Sequence, residues 1–303
     1  MKLNVSFSSF KKNHKLNKDQ LIYRTKKCKD YKQVENIFNF LLVEKNSFIF
    51  ESVEKGKIRG RYTIIGSNPD KIWDISGNTI TESFEGKKKT INKKPLSFLN
   101  NLIHKFNTKV PNDIPSMSSM LVGYFSYDII RYIENIPDNC VDDLKIPDVK
   151  MIRPKNLIIY DNFKKKIFFI ENIYAETKIN NYFEKYQLIK KKFETYEDYS
   201  NIKLPIKFTY SKNKNKIKSN ISKKKFKDCV KQAKEYIGKG DVFQVVLSQR
   251  FERKINKTPL EIYNYLRVSN PSPFMFYFNF DDFKIIGSSP EILVRLRNNQ
   301  ITI

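Results

Sequence analysis

The sequence predicts an α+β fold built from antiparallel hairpins with amphipathic helices outside them. Three observations lead there. Several segments read as paired strands joined by tight polar turns: KIWDISGNTITESF (71–84), LIIYDNFKKKIFFIENIY (157–174) and FMFYFNFDDFKIIG (274–287). Other segments repeat their apolar residues at helical spacing. The composition, 40% hydrophobic with 24 Phe and 17 Tyr over 303 residues, supplies a core and excludes a disordered chain.

Taken in order, YKQVENIFNFLL (31–42) places Val34, Ile37, Phe38 and Leu41 on one helical face. Strands are expected at 46–53 and 61–66, and the 71–84 hairpin turns at Gly77-Asn78. Pro95 opens a helix whose predicted inner face is Leu96, Leu99, Leu102, Ile103 and Phe106. Residues 120–134 run from a strand into a short helix, the 157–174 hairpin turns near Asp161-Asn162, and a helix covers about 179–196. Beyond a polar stretch, Ser222 caps a helix with Phe226, Cys229, Val230, Ala233 and Ile237 inward, ended by Gly238 and Gly240. GDVFQVVLSQRF (240–251) reads as a buried strand with one polar face carrying Gln244, Ser248 and Arg250. Strands follow at 274–280 and 283–287, and Asn298-Asn299 turns a last hairpin. The expected division is 1–200, a linker at 201–221, and 222–303.

Function classes narrow by exclusion. The net charge of +25 suggests nucleic acid. Most of it is Lys scattered beside abundant Asn and Ile, which share A/T-rich codons, and no nucleic-acid-binding signature is present, so no nucleic-acid partner is expected. No apolar run approaches the roughly 18 residues of a membrane span. The first residues, MKLNVSFSSFKKNHK, contain no apolar leader segment. Cys28, Cys140 and Cys229 are far apart and odd in number, which fits a reducing cytoplasm. With His14 in a polar tail and His104 on a helix surface, a histidine triad or zinc site has no support.

Five segments together carry a resemblance: FIFESVEKGKIRGRYTIIGSNP (48–69), VGYFSYDIIRYIE (122–134), GDVFQVVLSQRF, NPSPFMFYF (270–278) and IGSSPEILVRL (286–296). They resemble the chorismate-utilising enzymes, and among these the N-terminal part of anthranilate synthase large subunits. The resemblance implies an α+β fold, an antiparallel β-sandwich flanked by helices, with a regulatory tryptophan-binding part in 1–200 and the start of a chorismate-binding domain in 222–303. It implies a lyase that converts chorismate and ammonia to anthranilate and pyruvate with Mg²⁺. A glutamine amidotransferase subunit supplies the ammonia and L-tryptophan inhibits. The resemblance places the Mg²⁺ ligands and the main catalytic residues beyond residue 303, so the segment is expected to be an incomplete, inactive piece.

The implied site residues are Gln244 for catalysis and Glu51, Ser52, Pro273, Phe274 and Met275 for the effector. Gln244 stands where water-using relatives carry a lysine base; an amide is no base near neutral pH, which leaves the site to ammonia. The alternative is a structural amide bonded to a neighbouring strand. Pro, Phe and Met suit the flat apolar walls an indole needs, and Glu51 and Ser52 suit an amino-acid head group; the alternative is an ordinary core strand. Two other functions remain open: aminodeoxychorismate synthase, and a non-catalytic tryptophan-binding module.

Overall fold

Residues 2–54, 58–202 and 215–303 are described in a computed structural model of the chain. Two compact units form, one from 1–205 with 262–303, the other from 206–261. The larger unit therefore takes up the 274–289 strands, which the sequence division assigned to a separate C-terminal part. The expected 201–221 linker falls largely on 203–214, outside the described residues.

The larger unit begins with α1 (Phe7–Lys15), where sequence reading saw a polar tail around His14, and β1 (Gln20–Lys27). Ser6 caps α1 by accepting from the Ser9 amide at 3.2 Å. Its apolar residues are few, but Phe7 and Phe10 meet Phe183, Tyr182 and Tyr186 edge-on or tilted. His14 is buried rather than tail-borne: Nε2 donates to the Thr177 carbonyl at 2.9 Å, and Nδ1 shares a hydrogen bond of 3.1 Å with the Tyr182 hydroxyl. Next come α2 (Lys32–Leu41), β2 (Ser47–Glu54), β3 (Ile58–Ser76), β4 (Thr79–Phe84), β5 (Lys87–Ile91) and α3 (Pro95–Lys105). Then follow β6 (Val122–Phe125), a 3₁₀ turn (Tyr127–Tyr132), β7 (Val149–Asp161), β8 (Lys166–Ile173) and α4 (Tyr182–Asn201).

The strands form one antiparallel sheet in the order β1-β8-β7-β3-β2, with β4 joined to the far half of β3, β6 to the far half of β7, and β5 paired to β4 alone. β3 and β7 are long enough to serve both halves. The register shifts between Pro69 and Lys71, where Pro69 faces Pro154 across the ladder. Two prolines at one level remove ladder donors there. The main core gathers Phe48, Leu157, Ile159 and Phe168 from one half with Val122 and Ile152 from the other. This cluster spans both halves of one continuous antiparallel sheet. The Lys87–Lys88–Lys89 run marks β5 as a charged edge.

Helices cover the outer face of the first half. Arg24 of β1 pairs with Glu197 of α4 at 2.5 Å, and Phe169 of β8 packs on Phe193. Glu171 of β8 is fully buried between Lys185 at 2.9 Å and Lys192 at 2.7 Å. On the second half, α3 packs Phe98 and Leu99 onto Trp73, Ile75 and Val149. Leu96 and Ile103, predicted inward, are exposed. The helix turns the stripe containing Phe98 to the sheet, because the larger aromatic side chain covers more apolar area.

The smaller unit holds β9 (Lys218–Ser219), α5 (Lys223–Lys239) and β10 (Phe251–Glu252). Ser222 caps α5 at 3.2 Å and Gly240 ends it in the left-handed conformation at φ 83°, as predicted. No residue of α5 is fully buried, Cys229 included. The buried strand expected over 240–251 does not form: β10 pairs with β9 over two residues only, and Phe243 and Val246 are exposed. A strand needs a ladder partner and a surface for its apolar face. Within this unit, 242–248 has neither among the described residues.

Helix α6 (Pro259–Ser269), which sequence reading missed, leads into β11 (Phe274–Asn279) and β12 (Lys284–Ser289), and then into β13 (Arg295–Arg297) and β14 (Gln300–Thr302), which turn through Asn298 and Asn299 at φ 50° and 59°. β11 pairs with β2, extending the sheet to β2-β11-β12.

Candidate functional site

The pairing of β2 with β11 brings together residues from opposite ends of the chain. Met275 lies opposite Glu51, and Tyr277 opposite Ile49. Alternation sends Phe48, Phe50, Phe276 and Phe278 to the inner core and Ile49, Glu51, Met275 and Tyr277 to the helix-covered face.

The ladder between β2 and β3 shifts register between Glu51 and Val53, so Ser52 sits at a bulge. A bulge re-aims the side chain it carries. Ser52 lies directly over Gly60: a β-carbon there would come 2.4 Å from the Ser52 β-carbon. Past the bulge, the Val53 amide donates to the Ser272 carbonyl at 2.9 Å. The loop entering β11 is tied down again where the Ser288 hydroxyl donates to the Asn270 carbonyl at 2.6 Å. Ser52, Pro273 and Phe274 therefore lie toward one end of β2 and β11. Phe274 is exposed, Pro273 half-buried and Met275 buried.

Glu51 is enclosed. Its side chain is 0% exposed and ion-pairs with the Arg267 guanidinium, itself only 8% exposed. Tyr263 donates to Glu51 Oε1 at 2.6 Å and Tyr31 to Oε2 at 2.8 Å. Arg267 also reaches Glu35 at 3.2 Å and lies over the Phe38 ring at 5.0 Å. Burial lowers the Arg267 pKa, but Glu51 and the neighbouring tyrosines outweigh it, and the net shift is upward. Burial first, then Glu51, pushes the Tyr263 hydroxyl well above its ordinary value. Both groups keep their protons through the physiological range, and the carboxylate stays saturated with donors.

Of the residues singled out in the sequence, Glu51, Ser52, Pro273, Phe274 and Met275 thus lie on adjoining strands, with Glu51 and Met275 buried on the helix-covered face and Phe274 exposed. Gln244 belongs to the smaller unit, exposed on the irregular 242–248 stretch. Sequence reading missed Tyr31, Tyr263 and Arg267. Tyr263 and Arg267 do stand four apart on one helix just before NPSP, but their acidic partner lies 216 residues from Arg267. Among the described residues, no group of three or more His, Cys, Asp or Glu is placed to hold a metal ion.

A sheet that draws its two chain ends together around this constellation defines a class: the chain belongs to the chorismate binding enzyme family, whose model matches residues 45–303. Within that family it is similar to anthranilate synthase component 1 of Cereibacter sphaeroides, 32% identical over 99% of this chain and 61% of the relative. It is also similar to that of Acetivibrio thermocellus, 37% identical over 83% of this chain and 52% of the relative. The crystal structure of anthranilate synthase component I from Streptococcus pneumoniae TIGR4 superposes with a TM-score of 0.66 at 27% identity, over 81% of this chain and 54% of that one. The chain spans about half to three-fifths of the length of these relatives.

Proposed function

We propose that the chain is part of an anthranilate synthase large subunit, a lyase converting chorismate and ammonia to anthranilate and pyruvate, with Mg²⁺ as cofactor and a glutamine amidotransferase subunit supplying ammonia. Similarity to proteins named anthranilate synthase component 1 supports this reading over aminodeoxychorismate synthase. Three free cysteines suit a cytoplasmic enzyme, and among the described residues no helix is long and apolar enough to cross a membrane.

The observation that carries the regulatory part of the reading is the Ser52 bulge set against 272–275. In this reading L-tryptophan, the feedback inhibitor, lays its indole against Pro273 and Phe274, which the buried Met275 supports from behind, and turns its head group to Ser52. Glu51, whose oxygens are already engaged, acts as a positioning residue that holds β2 in place. Affinity on the order of micromolar is expected from one stacked indole after association costs. Gln244 is the residue that withholds a base from water and leaves ammonia as the nucleophile.

Calorimetric titration of the enzyme with L-tryptophan tests the effector site. Ser52→Phe abolishes binding while chorismate turnover persists, and Met275→Thr weakens it. Unchanged affinity in Ser52→Phe would place the effector elsewhere. For the active site, Gln244→Lys is expected to yield a hydroxylated by-product beside anthranilate. Product analysis finding anthranilate alone counts against the role given to Gln244.

A further inference from the structure

A cavity lies in the larger unit, between α3 and the β3, β4 and β7 side chains of the sheet's second half. It encloses about 360 Å³, within the range of small-molecule sites. Its walls are aromatic: Trp73, Phe98, Phe106 and Tyr174 all line it. None of them belongs to the β2–β11 constellation.

The polar groups around the cavity divide into two sets. The first is internally balanced. Arg153 grips Asp70 through two hydrogen bonds of 2.9 and 2.6 Å and lies over the Tyr174 ring at 3.8 Å. Glu176 bridges Arg153 and Lys71, each at 2.6 Å. Glu82 accepts from the Trp73 indole at 2.7 Å and from Lys89 at 2.8 Å. Asp19 accepts from Thr108 at 3.1 Å and from the Ala175 amide at 2.8 Å. These carboxylates are all engaged, and they hold the aromatic walls in place.

The second set is Lys93 and Lys105. Both line the cavity, both are exposed, and among the described residues neither has a carboxylate partner. Flat apolar walls ending at two uncompensated cations match a flat apolar body that ends in an anion. A bare inorganic anion would leave the aromatic walls uncovered, and a neutral ring would leave the lysines unused.

We propose that this cavity is a binding site for a small aromatic carboxylate, separate from the β2–β11 site. The carboxylate meets Lys93 and Lys105, and the ring packs between Phe98, Phe106 and Tyr174 against Trp73.

Trp73 is the single tryptophan of the chain, so its emission reports on this cavity alone. Benzoate is the probe. Saturable change in Trp73 emission is expected, with a dissociation constant on the order of a millimolar for so small a ligand. Lys93→Glu with Lys105→Glu should weaken binding about ten-fold or more, and the paired Lys→Gln variants less. Both lysines are exposed, so these variants are expected to fold. Ser52→Phe should leave benzoate binding unchanged, which keeps this test independent of the tryptophan reading. The proposal is overturned by no saturable change, by benzamide or inorganic phosphate matching benzoate, or by wild-type affinity in the charge-reversed protein.

Discussion

Gly60 is a glycine because Ser52 occupies the space that a β-carbon would need. The obstructing atom is the Ser52 β-carbon, which cannot swing away as the tip of a long side chain could. Gly60→Ala is therefore expected to cost about 1–3 kcal/mol by overpacking, and to loosen tryptophan binding by moving Ser52; denaturant unfolding and calorimetry measure the two effects. Arg267 makes a different case. Arg267→Met leaves the Glu51 carboxylate buried without its cation, at a cost of about 3–5 kcal/mol. Adding Glu51→Gln should recover part of that loss. Urea midpoints at constant slope would show it, and a double variant no more stable than Arg267→Met would mean the pair is not coupled.

At the scale of elements, the sheet ties its helices down through buried charge. Burial opposes ionisation of Glu171, but Lys192 and Lys185 more than offset it, and its pKa is lowered from the ordinary 4.5. A lowered folded value means the stabilisation is fully present above pH 4.5 and is lost as pH falls through the folded value. Glu171→Gln is expected to cost about 2–4 kcal/mol at neutral pH, somewhat discounted because both lysines are about a quarter exposed. The gap from wild type should narrow as the solution is acidified below pH 4.5, and a gap independent of pH would contradict the ion-pair account. The elements themselves were largely legible. Alternation located the hairpins at Gly77-Asn78 and Asn298-Asn299, and Ser222 and Gly240 bounded α5. Helix α1 was not legible, because its few apolar residues make sense only beside Tyr182, Phe183 and Tyr186. The strand over 240–251 was read from its own apolar pattern, whereas a strand also needs a neighbour. At the site, Ser52 and Pro273–Met275 were found through resemblance, while Arg267 and Tyr263 became visible only when the topology set α6 against β2.

For the whole molecule, the two units differ in how their backbone amides are engaged. The larger unit centres on β3 and β7, each paired on both sides, while among the described residues 242–248 in the smaller unit has no ladder. Hydrogen exchange should be slowest in β3, β7 and β8 and near-unprotected over 242–248. Slow exchange across 242–248 would show that the stretch finds a partner in solution.

The register between β2 and β11 has a consequence for the ribosome. Glu51 pairs with Met275, 224 positions later in the chain. At about 5–20 residues per second, β2 waits roughly 10–45 seconds for its neighbour after it is made. Throughout that interval the nascent chain carries an open strand edge flanked by Phe48 and Phe50, the kind of edge that recruits other chains. Slower translation lengthens the exposure and a bound chaperone shortens it, so the yield of soluble protein should depend on elongation speed more than its final stability would suggest.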